Sequence, residues 1–143
     1  MPLLGSVNLH SRTAVYEQLE ILIQSSIAAG NIAPGDRLPS VRELSEQYEV
    51  NPNTIAKVYR DLEVMGVVYT RRGQGIFVEA NAPAVCAKRC LARAAAHIYV
   101  AAQEAKAAGI AQGKLIDAVR AAYRLPSNPY ADLPSEVMSA LRD

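Results

Sequence analysis

Between residues 13 and 29, Val15, Leu19, Ile23 and Ile27 stand four apart, with Leu22 beside them. At 3.6 residues per turn that spacing forms one stripe, so the pattern predicts an amphipathic helix. Gly30 follows, a residue suited to the position just past a helix end. "APGDRLPS" reads as a loop, with Pro34-Gly35 as its turn signal. Ser40 and Glu43 form an S-x-x-E capping box that opens a second helix, "VRELSEQY", with Val41, Leu44 and Tyr48 as its apolar face. After the link "EVN" a third helix is predicted from Pro52 to Gly66.

The period changes at Val67. Val67, Val68 and Tyr69 on one side, and Ile76, Phe77 and Val78 on the other, flank "RRGQG". This predicts a β-hairpin with a basic, glycine-rich tip. Two helices joined by a short turn make a helix-turn-helix, and the hairpin after them makes a wing. From residue 83 the composition shifts to alanine. A long helix is predicted over 83–108, ended or interrupted by Gly109. A second, over about 110–124, carries Leu115, Val119 and Tyr123 on one stripe with Ile116 and Ala122 at its flanks. "LPSNPYADLPSE" reads as a proline-rich loop and "SEVMSALRD" as a last short helix. There is no internal repeat of fixed period. The fold class expected is mainly α: a winged helix-turn-helix domain over 1–80 and a small all-α region over 81–143.

The third helix has a compact, polar first turn. Asn51 is a good N-cap, and Pro52 fits the first helical position, where its missing N–H costs nothing. Ile55, Val58, Leu62 and Met65 share the face expected to pack on the other helices. Asn53, Ala56, Lys57 and Arg60 lie opposite. Helix-turn-helix proteins place the N-terminal residues of their second helix against base edges in the major groove. Asn pairs with adenine edges, Thr offers a hydroxyl or a methyl, and Lys or Arg reaches phosphate or guanine. The plainer reading is that N-P-N-T is simply a well-made helix start. The order of the surrounding elements favours recognition: a capping box with Arg42 in the first turn before it, and a basic wing after it.

The stretch "GDRLPSVRELSEQYEVNPNTIAKVYRDLEVMGVVYTRRGQGIFV", preceded by "AVYEQLEILIQSSIAAGNIAP", resembles the winged helix-turn-helix domain of the GntR family of bacterial transcription regulators. The resemblance covers roughly residues 10–80. It implies a dimeric repressor or activator on a palindromic operator. It also implies that Arg42 contacts DNA, that Asn53 and Thr54 fall at base- and phosphate-contacting positions, and that Gly73 at the wing tip enters the minor groove. Some members carry arginines where this chain has Pro52 and Ala56, so their operator preference does not transfer. With Ser40, Asn51, Lys57, Arg60, Arg71 and Arg72, these residues form the candidate DNA-binding set.

Only 63 residues follow position 80, too few for the large sugar-, fatty-acid- or aminotransferase-like modules of that family. A long helix plus a shorter one resembles the YtrA subfamily, whose small helical region mainly dimerises. The long helix is rich in alanine, with Val85, Leu91, Ile98 and Val100 as its larger aliphatic residues. Burial against a second copy is the simplest way to cover it, and two-fold dimers are the commonest assembly. The expected protein is a homodimeric regulator, read as a repressor that occludes its operator.

Composition and charge adjust this picture. Half the residues are hydrophobic, and no apolar run approaches the roughly 18 needed to span a membrane. "MPLLGSVNLHSRT" lacks a basic region followed by an apolar one, so no signal peptide is expected and the chain is read as cytoplasmic. Net charge is +1, but residues 1–80 hold seven Lys/Arg against nine Asp/Glu. DNA binding must then rest on a few well-placed cations, and a winged-helix protein-interaction module is the competing class. An RNA-binding reading lacks aromatics positioned to stack on unpaired bases.

Cys86, Cys90 and His97 lie within about 40° of one another around the long helix, and thiolates suit Zn or Cu(I). Small apolar fillers in a helix interface, with His97 at the rim, are the favoured reading of them. No cofactor is expected. Tyr99, Tyr123 and Tyr130 are candidates to line a pocket for an unidentified small-molecule effector, although aromatics at such positions are more often core or interface. "GQG" sits in a hairpin, not at a strand–helix junction, and nothing points to an enzyme. His10 lies in an N-terminal segment expected to be mobile.

Overall fold

Leu19, Leu22, Ile23 and Ile27 are all buried, as the stripe requires, on a helix α1 running Val15–Ala28. The structure, a computed structural model, describes residues 5–128, 130 and 132–142. The first four residues and Asp143, at the end of the expected last helix, lie outside the described residues. Helix α1 closes where Gly30 N donates to Ile27 O (3.1 Å) and Asn31 N to Ser26 O (2.9 Å).

The N-terminal segment expected to be mobile is fastened to α1. Gln18 is fully buried, and its amide nitrogen donates to Asn8 O (2.9 Å) and Thr13 O (2.8 Å) while its oxygen accepts Asn8 N (2.7 Å). Tyr48 OH donates to Gly5 O at 3.3 Å. A buried amide with all these partners fixes the chain that surrounds it.

Helix α2 spans Val41–Tyr48 and α3 spans Pro52–Val64. Between them Glu49 takes the left-handed conformation (φ 54°), which costs a residue with a Cβ roughly 1–2 kcal/mol. Ser45 Oγ donates to Val50 O (2.6 Å) and Val50 N to Ser45 O (3.1 Å), which holds this turn. Helix α3 buries Ile55, Val58 and Leu62 completely and Tyr59 nearly so. Each of these side chains stabilises the fold by roughly 1.5–3 kcal/mol through removal from water. Burial of Tyr59 is compensated by its hydroxyl, which donates to Pro39 O and so ties α3 to the chain before α2.

The wing consists of β1 (Val68–Arg71) and β2 (Gly75–Val78), antiparallel, with Val68 opposite Val78 and Tyr69 opposite Phe77. A third edge joins it. Arg37 forms a bridge with Phe77, Leu38 N donates to Ile76 O (2.8 Å), and Val78 N donates to Asp36 O (3.0 Å). The loop before α2 is therefore part of the wing.

Helix α4 (Ala82–Ala107) is followed by α5 (Gln112–Tyr123) and α6 (Ser135–Ala140). The chain divides into two compact units, one up to Leu91 and one from Ala92. In the first, Ala82 and Cys86 of α4 are buried. In the second, α6 packs on α5 of its own chain, with Ala121 and Val137 buried. Of the stripe expected on α5, Leu115 is half-buried while Val119 (46% exposed) and Tyr123 (89%) face outward, as does Ile116 (41%) at its flank.

Candidate nucleic-acid interface

Three elements of the first unit carry the candidate residues, and each is shaped by local chemistry. At the start of α2, Glu43 N donates to Ser40 Oγ (3.1 Å) and Ser40 N donates to Glu43 Oε2 (3.4 Å). The reciprocal box satisfies two backbone donors and leaves the Ser40 hydroxyl proton available. The side chain of Arg42, the second residue of α2, is 87% exposed and paired with Glu46 at 3.1 Å. An exposed pair of this kind stabilises by well under about 1 kcal/mol, so Glu46 leaves the Arg42 guanidinium open to another anion at little cost.

At the start of α3, Asn51 Oδ1 accepts Asn53 N at 2.8 Å, the expected N-cap. Its oxygen is thereby used and its NH₂ group is left as the outward donor. Asn53 is exposed and Thr54 half-buried, while Ile55 next to them is fully buried. That alternation anchors the turn on the core and turns its polar side out. Pro52 has no N–H, and those of Asn53 and Thr54 are accepted by Asn51 (2.8 and 2.9 Å), so this end attracts phosphate through the helix dipole and its polar side chains.

One turn on, Lys57 is not a free cation. Its Nζ lies 2.9 Å from Asp61 Oδ2 and 3.8 Å from the centre of the Tyr16 ring on α1. The Asp61 hydrogen bond raises the Lys57 pKa, so the ammonium stays charged. Asp61 is itself held below the usual carboxylate range, by its contact with Glu20 and then by Lys57. Arg60 is exposed.

In the wing, Tyr69 and Phe77 stack (centroids 5.8 Å apart, 24° between planes), and the Arg71 guanidinium lies 5.5 Å from the Phe77 centroid. The aromatic platform limits the directions Arg71 takes. Arg72 and Gly73 form the exposed tip, closed by Gln74 N donating to Arg71 O at 2.9 Å. Gly73 has φ +77°, which a side chain at the tip tolerates poorly.

Arg37 was absent from the sequence-derived set. Its side chain runs beside Gly75, where a Cβ would stand 2.8 Å from Arg37 Nε. The signal was its place in "DRLPS", one residue before a buried leucine, but nothing local marks that loop as a strand edge. Tyr16, Glu20 and Asp61 were missed too, because their meeting depends on how α1 packs on α3. The spacings of 16/20 and 57/61, one turn each, were the available hint.

The thiols form no comparable site. Cys86 is fully buried, and burial pushes its thiol up to about 11, with the neighbouring Cys90 adding to the rise. His97 is exposed and lies in the other unit. Among the described residues, no three His, Cys, Asp or Glu side chains gather as a metal site would require. Neither of two cavities in the second unit brings the three tyrosines together. A groove of about 910 Å³ between α4 and α5 is lined by Ile98, Ile110, Leu115 and Val119 among others, but by no tyrosine. Tyr123 borders a different cavity of about 600 Å³ beside α6. No helix among the described residues is long and apolar enough to cross a membrane.

Comparison with known proteins bears on the family and the fold. The profile of bacterial regulatory proteins of the gntR family matches residues 14–78. The HTH-type transcriptional repressor YtrA of Bacillus subtilis is 43% identical over 72 residues, 50% of this chain and 55% of YtrA. The chain thus spans less than two-thirds of the length of the Bacillus subtilis relatives YhcF and YtrA. The HTH-type transcriptional regulator Rv1152 of Mycobacterium tuberculosis is 34% identical over 122 residues, covering 85% of this chain and 93% of Rv1152. A GntR family transcriptional regulator from Listeria monocytogenes superimposes with a TM-score of 0.63 at 30% identity, covering 78% of this chain and 97% of that one. These relatives are transcriptional regulators, not enzymes. The winged helix, its capped third helix and these likenesses together establish that the chain belongs to the GntR family of DNA-binding bacterial transcriptional regulators.

Proposed function

We propose that this regulator is a homodimeric repressor that occludes a palindromic operator, with helix 52–66 in the major groove and the wing tip 71–75 at the minor groove. Residues 1–80 then form the DNA-binding domain and residues 81–143 the dimerisation region. The observation that carries the reading is the first turn of α3. Asn51 caps it, Ile55 anchors it, and the side chains of exposed Asn53 and half-buried Thr54 stand on its outer side. A short polar turn of this kind suits base edges and phosphates at close range. Ser40 and Arg42 would meet the flanking backbone, with Lys57 and Arg60 further along α3 and Arg71 and Arg72 on the wing. Arg37, held along the wing edge, joins these phosphate-directed cations.

Dimerisation is supported by the second unit's outward apolar surface. Among the described residues, the α4–α5 groove is open, and Val119 and Tyr123 of the α5 stripe are exposed together with Ile116 at its flank. An open apolar groove beside exposed aliphatic side chains is the kind of surface that a partner covers. A second copy covers both and sets two recognition helices at half-sites about one helical turn apart. The name of YtrA supports repression as the sign of regulation. Selection of bound duplexes from a random pool tests the proposal. Enrichment of an inverted repeat is expected. A pool that stays random would favour a protein-interaction role for the winged helix.

A further inference from the structure

Two carboxyl groups meet beneath the recognition helix, with one lysine to serve both. Glu20 on α1 is only 8% exposed, and its Oε1 has no hydrogen-bond partner. Its carboxyl faces and hydrogen-bonds that of Asp61 on α3. Asp61 in turn holds Lys57 at 2.9 Å, and Lys57 rests on the Tyr16 ring. The charged and titratable groups around Glu20 are Glu17 and Tyr16 on α1 and Lys57 and Asp61 on α3, with Arg60 acting on Asp61. Two adjacent ionised carboxylates repel, and neither side chain can donate unless one keeps a proton. Burial, then the hydrogen bond to Asp61, pushes Glu20 up to about 7, while Asp61 is held low. Below neutrality the shared proton therefore sits on Glu20 rather than on Asp61.

We propose that Glu20 is a positioning residue for DNA recognition: its protonated carboxyl, donating to Asp61, keeps the ground beneath Lys57 singly charged and leaves that lysine attractive to phosphate. The inference rests on the reading of α3 as the recognition helix. When Glu20 ionises, a second negative charge appears beside Lys57. It offsets the cation seen by DNA and draws the ammonium inward, toward the α1–α3 seam. Affinity for DNA then falls as pH rises through neutrality, in a protein whose winged domain has few cations to spare.

The test is fluorescence anisotropy with the full chain and a labelled duplex, from about pH 6 to pH 8.5 at fixed low ionic strength. The wild type is expected to lose roughly three- to tenfold in affinity across that range, the scale of one added charge near a phosphate contact. Glu20→Gln cannot ionise, so it should match the wild type at the acid end, bind more tightly at the alkaline end, and give a nearly flat profile. The histidines are untouched by this substitution, so their share of any pH dependence persists in both proteins. Identical profiles for wild type and Glu20→Gln overturn the proposal. A second readout is independent of DNA: the Glu20 carboxyl carbon, followed by NMR, should titrate near neutrality, and titration in the ordinary carboxylate range overturns the proposal as well. Failure of every variant to bind duplex at any pH counts against the DNA reading of α3, while the NMR titration still decides the shared proton.

Discussion

The side-chain oxygen of Asn51 accepts the backbone N–H of Asn53 at 2.8 Å. The bond fixes the first turn of α3 and uses the one face of Asn51 that would otherwise accept from a base. On the proposed reading, Asn51 would serve recognition chiefly through the geometry it imposes on Asn53 and Thr54. Asn51→Ala should cost about 1 kcal/mol of folding stability, the ordinary value of an N-cap. Urea unfolding measures it. DNA affinity should fall together with stability. No change in either would mean that Pro52 alone holds the turn.

Tyr59 ties the recognition helix to the chain before α2 through Pro39 O. Burial drives its hydroxyl well above the ordinary tyrosine range, so it stays a donor at any working pH. Tyr59→Phe keeps the ring and strands a carbonyl. The expected loss is about 1–3 kcal/mol, seen as a lower urea midpoint with an unchanged slope.

Glu20 also links stability to pH. Its folded-state pKa, about 7, lies above its unfolded value, so its contribution is full below the ordinary carboxylate range and is lost as pH rises through about 7. Asp61 has the opposite sign: its contribution is present above its unfolded pKa and fades as pH falls through its depressed value. Glu20→Gln should flatten the neutral limb and, at pH values above about 8, exceed the wild type by on the order of 1–2 kcal/mol. Thermal unfolding across pH checks this. A wild type no less stable at the alkaline end than Glu20→Gln would contradict it.

Val119 is 46% exposed and borders the α4–α5 groove. If a second copy covers that surface, Val119→Glu buries an unpaired carboxylate at the interface. Sedimentation should show monomer for the variant and dimer for the parent, with the far-UV spectrum unchanged.

Much of this architecture is readable from spacing. Four-residue intervals define α1, the S-x-x-E box starts α2, and N-P-N-T starts α3, because caps and amphipathic stripes are local properties. The third wing edge is not readable: a single bridge from Arg37 to Phe77 leaves no alternation to detect. Nor is the buried clamp of Gln18 on Asn8 and Thr13, since a polar residue at that position reads as surface. The α5 stripe shows a different limit. Period reveals that Val119 and Tyr123 share an apolar face, but not what that face packs against. At the candidate interface the exposed cations are legible as types, and their partners are not. Lys57 meets Tyr16 and Asp61 only because α1 packs against α3.

The most direct measurement is titration of a selected duplex with the parent, Arg42→Ala and Thr54→Ala at two salt concentrations. Each variant should bind about 1–3 kcal/mol more weakly with its melting temperature preserved, and Arg42→Ala should reduce the salt slope by roughly one. Affinities and slopes equal to the parent's for both variants would show that DNA meets a different surface of the winged domain.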